Sequence, residues 1–277
     1  MHCSRSPDLF GWGSLAMKGQ KTMPLEIVTV PCLSDNYAYL IHDADAGKTA
    51  LVDAPEAAPI QSELDRRGWS LDQVWLTHHH WDHVDGLAAL RDRYKPTVIG
   101  AEADAHRLPP LDLAVSEGDR FDLGGAPVEV LDVSGHTVGH IAFHLPTGKA
   151  VFTADSLMAL GCGRLFEGTP DQMWASLSKL AALPDDTLVC SGHEYTQSNA
   201  RFALSVDPDN AALKTRAAEI DQARAEGRPT VPSLLSLEKS TNPFLRAADP
   251  GIQSLLGMQG ADPARVFAEI RARKDHF

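Results

Sequence analysis

Between Leu25 and about Ser191 the chain is a succession of short apolar runs: LEIVTV, YAYLI, TALVD, QVWLT, TVIG, PVEVLDV, IAFHL, AVFTAD and TLVCS. Their length and their content of Val, Ile, Thr and aromatic residues predict strands, several so uniformly apolar that both faces must be covered. Helical spacing of apolar positions at 56–67, 84–93 and 171–182 falls between them. Strands interleaved with helices predict a layered α/β domain over 24–195. The pattern then changes. Residues 196–277 carry no clear strand signal and are rich in Ala, Leu, Arg and Glu, with helical patterns near 210–225, 231–237 and 263–273. Gly227-Arg228-Pro229, Asn242-Pro243 and Asp249-Pro250-Gly251 punctuate them as turns, which predicts a smaller helical domain packed on the first.

Composition excludes several classes. The 277 residues carry 25 basic and 37 acidic side chains, a formal charge of -12 that argues against a nucleic-acid or anionic-membrane surface. No apolar run reaches the roughly 20 residues of a membrane helix. Asp8 and the glycines of residues 1–23 interrupt the hydrophobic run a signal peptide requires, so this stretch reads as a floppy leader with Met23 as the working start. Cys3, Cys32, Cys162 and Cys190 lie far apart without a C-x-x-C pair. Free thiols in a reducing cytosol are expected, one disulfide being the alternative.

Chemistry concentrates at strand ends. THHHWDH follows the apolar Val74-Trp75-Leu76, placing His78, His80, Asp82 and His83 in H-x-H-x-D-H spacing at the start of the next helix. Donors two apart can close on one ion while the adjacent Asp-His pair reaches a second. Imidazole and carboxylate without clustered thiolates suit zinc, iron or manganese better than calcium or magnesium. His136 in VLDVSGHTVGH, Asp155 in AVFTAD and His193 in TLVCSGHEYT share this grammar. Singly, Asp155 reads equally as a cap and each histidine as a turn residue; four such strand ends together point to a metal centre. Cys162 and Cys190 read as buried thiols, His140 and His144 as structural, and Asp53 as a turn or cap residue or an orienting partner for a ligand histidine.

In order along the chain, SDNYAYLI, THHHWDH, SGHTVGH, TADSL, GCGRLFEGT, SGHEYT, TNPFLR and RARKDHF resemble the motifs of the metallo-β-lactamase superfamily and, within it, of the hydroxyacylglutathione hydrolases or glyoxalase II enzymes. The resemblance runs from about Leu25 to the C-terminus. It implies an αβ/βα sandwich as the catalytic domain, a helical substrate-binding domain, and two divalent ions, zinc first and iron or manganese as alternatives. His78, His80 and His136 would hold one ion, Asp82, His83 and His193 the other, and Asp155 would bridge them and orient the attacking water. His79 is left without a metal role and is expected to turn away.

Two dications with two ligand carboxylates keep a net positive charge even with a bridging hydroxide, which favours an anionic transition state. No serine or cysteine nucleophile is then needed. The implied reaction is hydrolysis of S-D-lactoylglutathione, or a related 2-hydroxyacyl thioester, to the hydroxy acid and glutathione by a cytoplasmic monomer. The resemblance places glutathione on Arg164, Tyr195, Arg271 and Lys274, with Phe166 standing where some members have a tyrosine. Arg271 and Lys274 read equally as a solvated helix C-terminus. The rival reading is a glutathione persulfide dioxygenase with a single iron, which lacks the long helical C-terminal segment. A nuclease or lactonase is disfavoured by the acidic charge and by the glutathione motifs, and a non-catalytic binding protein by the full ligand set.

Overall fold

A computed structural model describes residues 25–277, so the proposed leader lies outside the described residues. Two six-stranded sheets face one another. The first runs through Leu25–Cys32, Asn36–Asp43, Lys48–Val52, Gln73–Leu76, Thr97–Ala101 and Leu113–Val115, antiparallel over its first three strands and parallel thereafter. The second runs Ser233–Leu234, Leu188–Ser191, Ala150–Ala154, Ile141–Leu145, Ala126–Asp132 and Arg120–Leu123, with its one parallel pair between Ala150–Ala154 and Leu188–Ser191. This is the αβ/βα sandwich the sequence implies.

Period-two alternation explains why the central strands look uniformly apolar. Ile141, Phe143 and Leu145 point into the core between the sheets, as do Ala150, Phe152 and Cys190. Ala142, Val151 and Val189 point to the other face, beneath Met173, Leu177 and Leu180 of the helix Pro170–Ala181 and Val266, Phe267 and Ile270 of Pro263–Asp275. Trp75 joins the sheets, its ring 5.5 Å from Phe143 and 6.3 Å from Phe152. Burying each such side chain contributes roughly 1.5–3 kcal/mol. Helix Pro170–Ala181 opens with proline at its first position and a capping box between Thr169 and Gln172.

Several expectations need correction. The helix expected at 84–93 is two, Trp81–Val84 and Leu87–Tyr94. The break lies at Gly86, where a Cβ would stand 2.7 Å from the Ala57 nitrogen and 2.9 Å from the Ala54 carbonyl that Gly86 N–H donates to. The helix expected at 231–237 starts only at Leu235; Ser233–Leu234 pairs instead with Leu188–Ser191. The C-terminal segment thus supplies an edge strand to the second sheet. Helices Thr196–Val206 and Pro250–Leu256 and the strands Leu113–Val115, Arg120–Leu123, Leu157–Met158 and Gly161–Cys162 add to the expected elements. No helix among the described residues is long and apolar enough to cross a membrane. Cys32, Cys162 and Cys190 are free and buried, so no disulfide joins these three.

Candidate metal centre

Every candidate ligand stands where a strand runs out at one edge of the sandwich. His78 and His80 follow Gln73–Leu76, the turn Trp81–Val84 carries Asp82 and His83, and Asp155 and His193 follow the paired strands Ala150–Ala154 and Leu188–Ser191. His136 sits in the loop entering Ile141–Leu145, whose first N–H donates to the Thr77 carbonyl at 3.0 Å and so ties the two sheets together beside the site.

The nitrogens form two groups. His78 Nε2 lies 3.1 Å and His136 Nε2 3.0 Å from His80 Nδ1. His83 Nε2 lies 3.3 Å from His193 Nε2, which is 3.5 Å from Asp82 Oδ2. Asp155 spans them, with Oδ2 3.4 Å from His136 Nε2 and Oδ1 3.3 Å from His193 Nε2 and 3.6 Å from His83 Nε2. In each trio the ligand atoms lie within 4.8 Å of one another.

The far side of each ring fixes its tautomer. His83 Nδ1–H donates to Asp53 and His193 Nδ1–H to Asp35, both at 2.8 Å, while His136 Nδ1–H donates to the Arg164 carbonyl at 2.7 Å. Their Nε2 atoms are therefore the ones turned toward one another and toward carboxylates. Buried ring nitrogens gathered with a carboxylate at such distances form donor sets that a cation could occupy. Asp155 Oδ1, buried and without a hydrogen-bond partner, makes the same statement. The donor set fits two divalent ions of the zinc, iron or manganese kind.

The electrostatics agree. Burial alone would lower His193, but the carboxylates of Asp155, Asp35 and Asp82 outweigh it and raise it to about 9. Burial would raise Asp155, yet His193, His83 and His136 hold it well below the ordinary carboxylate range. In the other group burial and the neighbouring imidazoles depress His80 to about 4 and hold His78 well below the ordinary imidazole range. One group therefore favours positive charge before any ion is considered, and the other presents neutral nitrogens.

His79 turns away as expected and bonds Asp104 at 2.8 Å. Asp53 is the orienting partner rather than a cap: it accepts from Thr77 N–H, Thr77 Oγ1–H and His83, which commits its oxygens although it also neighbours His78 and His83. His140 is buried and stacks on His78, and His144 pairs with Glu129 on the neighbouring strand Ala126–Asp132. Burial raises the Cys162 thiol to about 11.

A cavity of about 550 Å³ opens beside the two groups and is lined by all five expected substrate contacts. Tyr195 stacks on His193 with ring centroids 4.7 Å apart, and Phe166 stands 5.2 Å from His136. Arg164 is exposed at the mouth, 3.6 Å from Asp275. Lys274 lies 5.2 Å from the Phe202 ring centroid, and burial, with Arg271 and Arg201 nearby, lowers it to about 8. Arg271 is not part of a solvated helix end. It is buried, donates to the Cys162 carbonyl at 3.0 Å and to Asp275 at 2.8 Å, has a buried Nε without a partner, and lines the cavity. Asp35, Asn36 and Asn199 also shape the site and were given no role by the sequence. The first two sit in SDNYAYLI, where an acidic-amide pair just before a strand is the available signal.

Residues 34–193 match the model of the metallo-beta-lactamase superfamily, and residues 194–277 match that of the hydroxyacylglutathione hydrolase C-terminus. The chain is 63% identical over 255 residues to a hydroxyacylglutathione hydrolase of Cereibacter sphaeroides, covering 92% of this chain and 100% of that one. It is 56% identical over 253 residues to one of Rhizobium meliloti, covering 91% and 99%. Among solved structures it resembles ETHE1 from Myxococcus xanthus (TM-score 0.59, 27% identity, covering 91% of this chain and 98% of that one). It also resembles TTHA1623 in a di-iron-bound form (0.58, 26%, 79% and 100%).

Proposed function

The chain belongs to the hydroxyacylglutathione hydrolases of the metallo-β-lactamase superfamily, and from that membership we propose that it hydrolyses S-D-lactoylglutathione and related 2-hydroxyacyl thioesters at a two-ion centre. The observation that carries the reading is Asp155: one buried carboxylate reaches both nitrogen groups, beside a cavity walled by cations. His78, His80 and His136 would hold one ion and Asp82, His83 and His193 the other. Two such ions supply a bound water of lowered pKa, about 7 at a single zinc, and a Lewis-acid partner for a carbonyl oxygen.

The protein's own residues do the rest. Asp155, aimed by its position directly after the strand Ala150–Ala154, orients the attacking water between the groups. Arg271 and Lys274, both lining the cavity, meet a glutathione carboxylate. Arg164 at the mouth forks onto the peptide, and the rings of Tyr195 and Phe166 flank the thioester. Water adds to the carbonyl carbon, the carbon–sulfur bond breaks, and the thiolate leaves as glutathione while the acyl group leaves as the hydroxy acid. These groups act by position, which fixes the carbonyl against the attacking water.

The dioxygenase reading has less support, because residues 194–277 match a hydrolase model. A direct comparison separates the two. Incubated with S-D-lactoylglutathione, the protein releases glutathione and D-lactate in equal amounts; consumption of oxygen with glutathione persulfide, without thioester hydrolysis, would refute the proposal. Zinc as the resident metal and a cytoplasmic monomer belong to the same proposal, checked by elemental analysis, cell fractionation and light scattering.

A further inference from the structure

The two nitrogen groups differ in what stands behind them. In the group of His78, His80 and His136, two rings donate to neutral oxygens: His78 to the Thr77 hydroxyl at 3.0 Å and His136 to the Arg164 carbonyl. In the group of Asp82, His83 and His193, both imidazoles donate to carboxylates, Asp53 and Asp35. Asp82 is itself held, by Asn36 Nδ2–H donating to its Oδ2 at 3.1 Å and to its backbone carbonyl at 3.0 Å. Asp35 ends the turn after Leu25–Cys32 and Asn36 opens the strand Asn36–Asp43. That turn is fastened to the His193 loop by backbone pairing: Tyr37 N–H donates to the Gly192 carbonyl and Glu194 N–H to the Asp35 carbonyl, both at 2.8 Å, and Asn36 bridges to His193.

Resting on the two-ion reading, we propose that Asp35 and Asn36 are positioning residues for the second ion alone: Asp35 fixes the tautomer and aim of His193, and Asn36 holds the Asp82 carboxylate. The first ion draws on neither residue. A carboxylate behind an imidazole raises its basicity and locks its orientation, and loss of such a partner weakens metal affinity by about 10–100-fold. The two sites are therefore separable by substitutions at this turn-to-strand junction, which contains no ligand.

Asp35 also lies against Tyr195, on the substrate side. Activity alone does not read the proposal, and ion retention does. Asp35→Asn keeps the shape of the side chain, and Asn36→Ala removes both donors while leaving the backbone pairing. The zinc-loaded wild type and both variants are equilibrated with graded chelator, zinc per chain is measured, and thermal unfolding confirms the fold. In the variants one ion is expected to leave at roughly 10–100-fold lower chelator strength than in the wild type, the other at an unchanged strength. Two ions retained as in wild type, or both released earlier together, would overturn the proposal. A wild type that holds fewer than two ions would overturn the two-ion reading and this inference with it. Should Asn36→Ala not fold, Asp35→Asn decides the matter alone.

Discussion

Glu238→Ala tests how the C-terminal helices hold the floor of the site. Glu238 is fully buried in helix Leu235–Thr241. Its Oε1 pairs with Arg216 and accepts from Ser233 Oγ at 2.6 Å, while Oε2 accepts from Leu160 N–H at 2.8 Å and from Asn242 Nδ2 at 3.1 Å. Asn242 in turn donates to the Met158 and Gly161 carbonyls. This cluster fixes the segment that leads from Asp155 to Cys162. Removing the carboxylate strands a buried guanidinium, which costs about 3–5 kcal/mol, and leaves two further donors, Leu160 N–H and Ser233 Oγ–H, to find water. At roughly 2–4 °C per kcal/mol for a domain of about this size, Tm falls by roughly 6–20 °C. Calorimetry of zinc-saturated protein is the assay. Arg216→Met added to Glu238→Ala is expected to restore part of the loss, because the stranded charge goes with it. A fall of under about 2 °C in the single variant, or no recovery in the double, would refute the reasoning.

Other consequences follow from the site itself. Asp155→Ala is expected to lose turnover and at least one ion per chain on elemental analysis, since it removes the carboxylate common to both groups; full activity would end the two-ion account. His79→Ala keeps both ions and most of its stability, because Arg107 still pairs with Asp104; loss of an ion on elemental analysis would make His79 a ligand after all. Lys274 is held near 8, so it is cationic below that pH and neutral above it. KM for the thioester is therefore expected to rise as pH passes upward through about 8, and Lys274→Ala to raise KM about tenfold at pH 7 while flattening that rise, measured as initial rates.

The fold was legible because buried strands and strand-end ligands leave blunt signals. Trp75, Phe143 and Phe152 sit in runs without polar interruption, and each ligand follows such a run. Helix Thr196–Val206 escaped because its polar opening, Thr196-Gln197-Ser198-Asn199, reads as a turn. Asn199 in fact faces inward with Phe202, Ala203 and Val206, and its amide donates to the Ala159 carbonyl. Arg271 was named as a glutathione contact, but its burial escaped for a related reason: i,i+3 spacing to Lys274 near a helix end gives no sign that Phe244 and the Cys162 carbonyl will cover the guanidinium. Asp35 and Asn36 stayed silent because their partners are 158 and 46 residues away.

The central claim is that hydrolysis needs ions held by THHHWDH and its partners. Chelator-stripped protein is titrated with zinc while the loss of thioester absorbance from S-D-lactoylglutathione is followed against zinc bound per chain. Turnover should be absent in stripped protein and reach its maximum as the second ion binds. Full turnover in the stripped protein, or none at two ions per chain, would contradict the account.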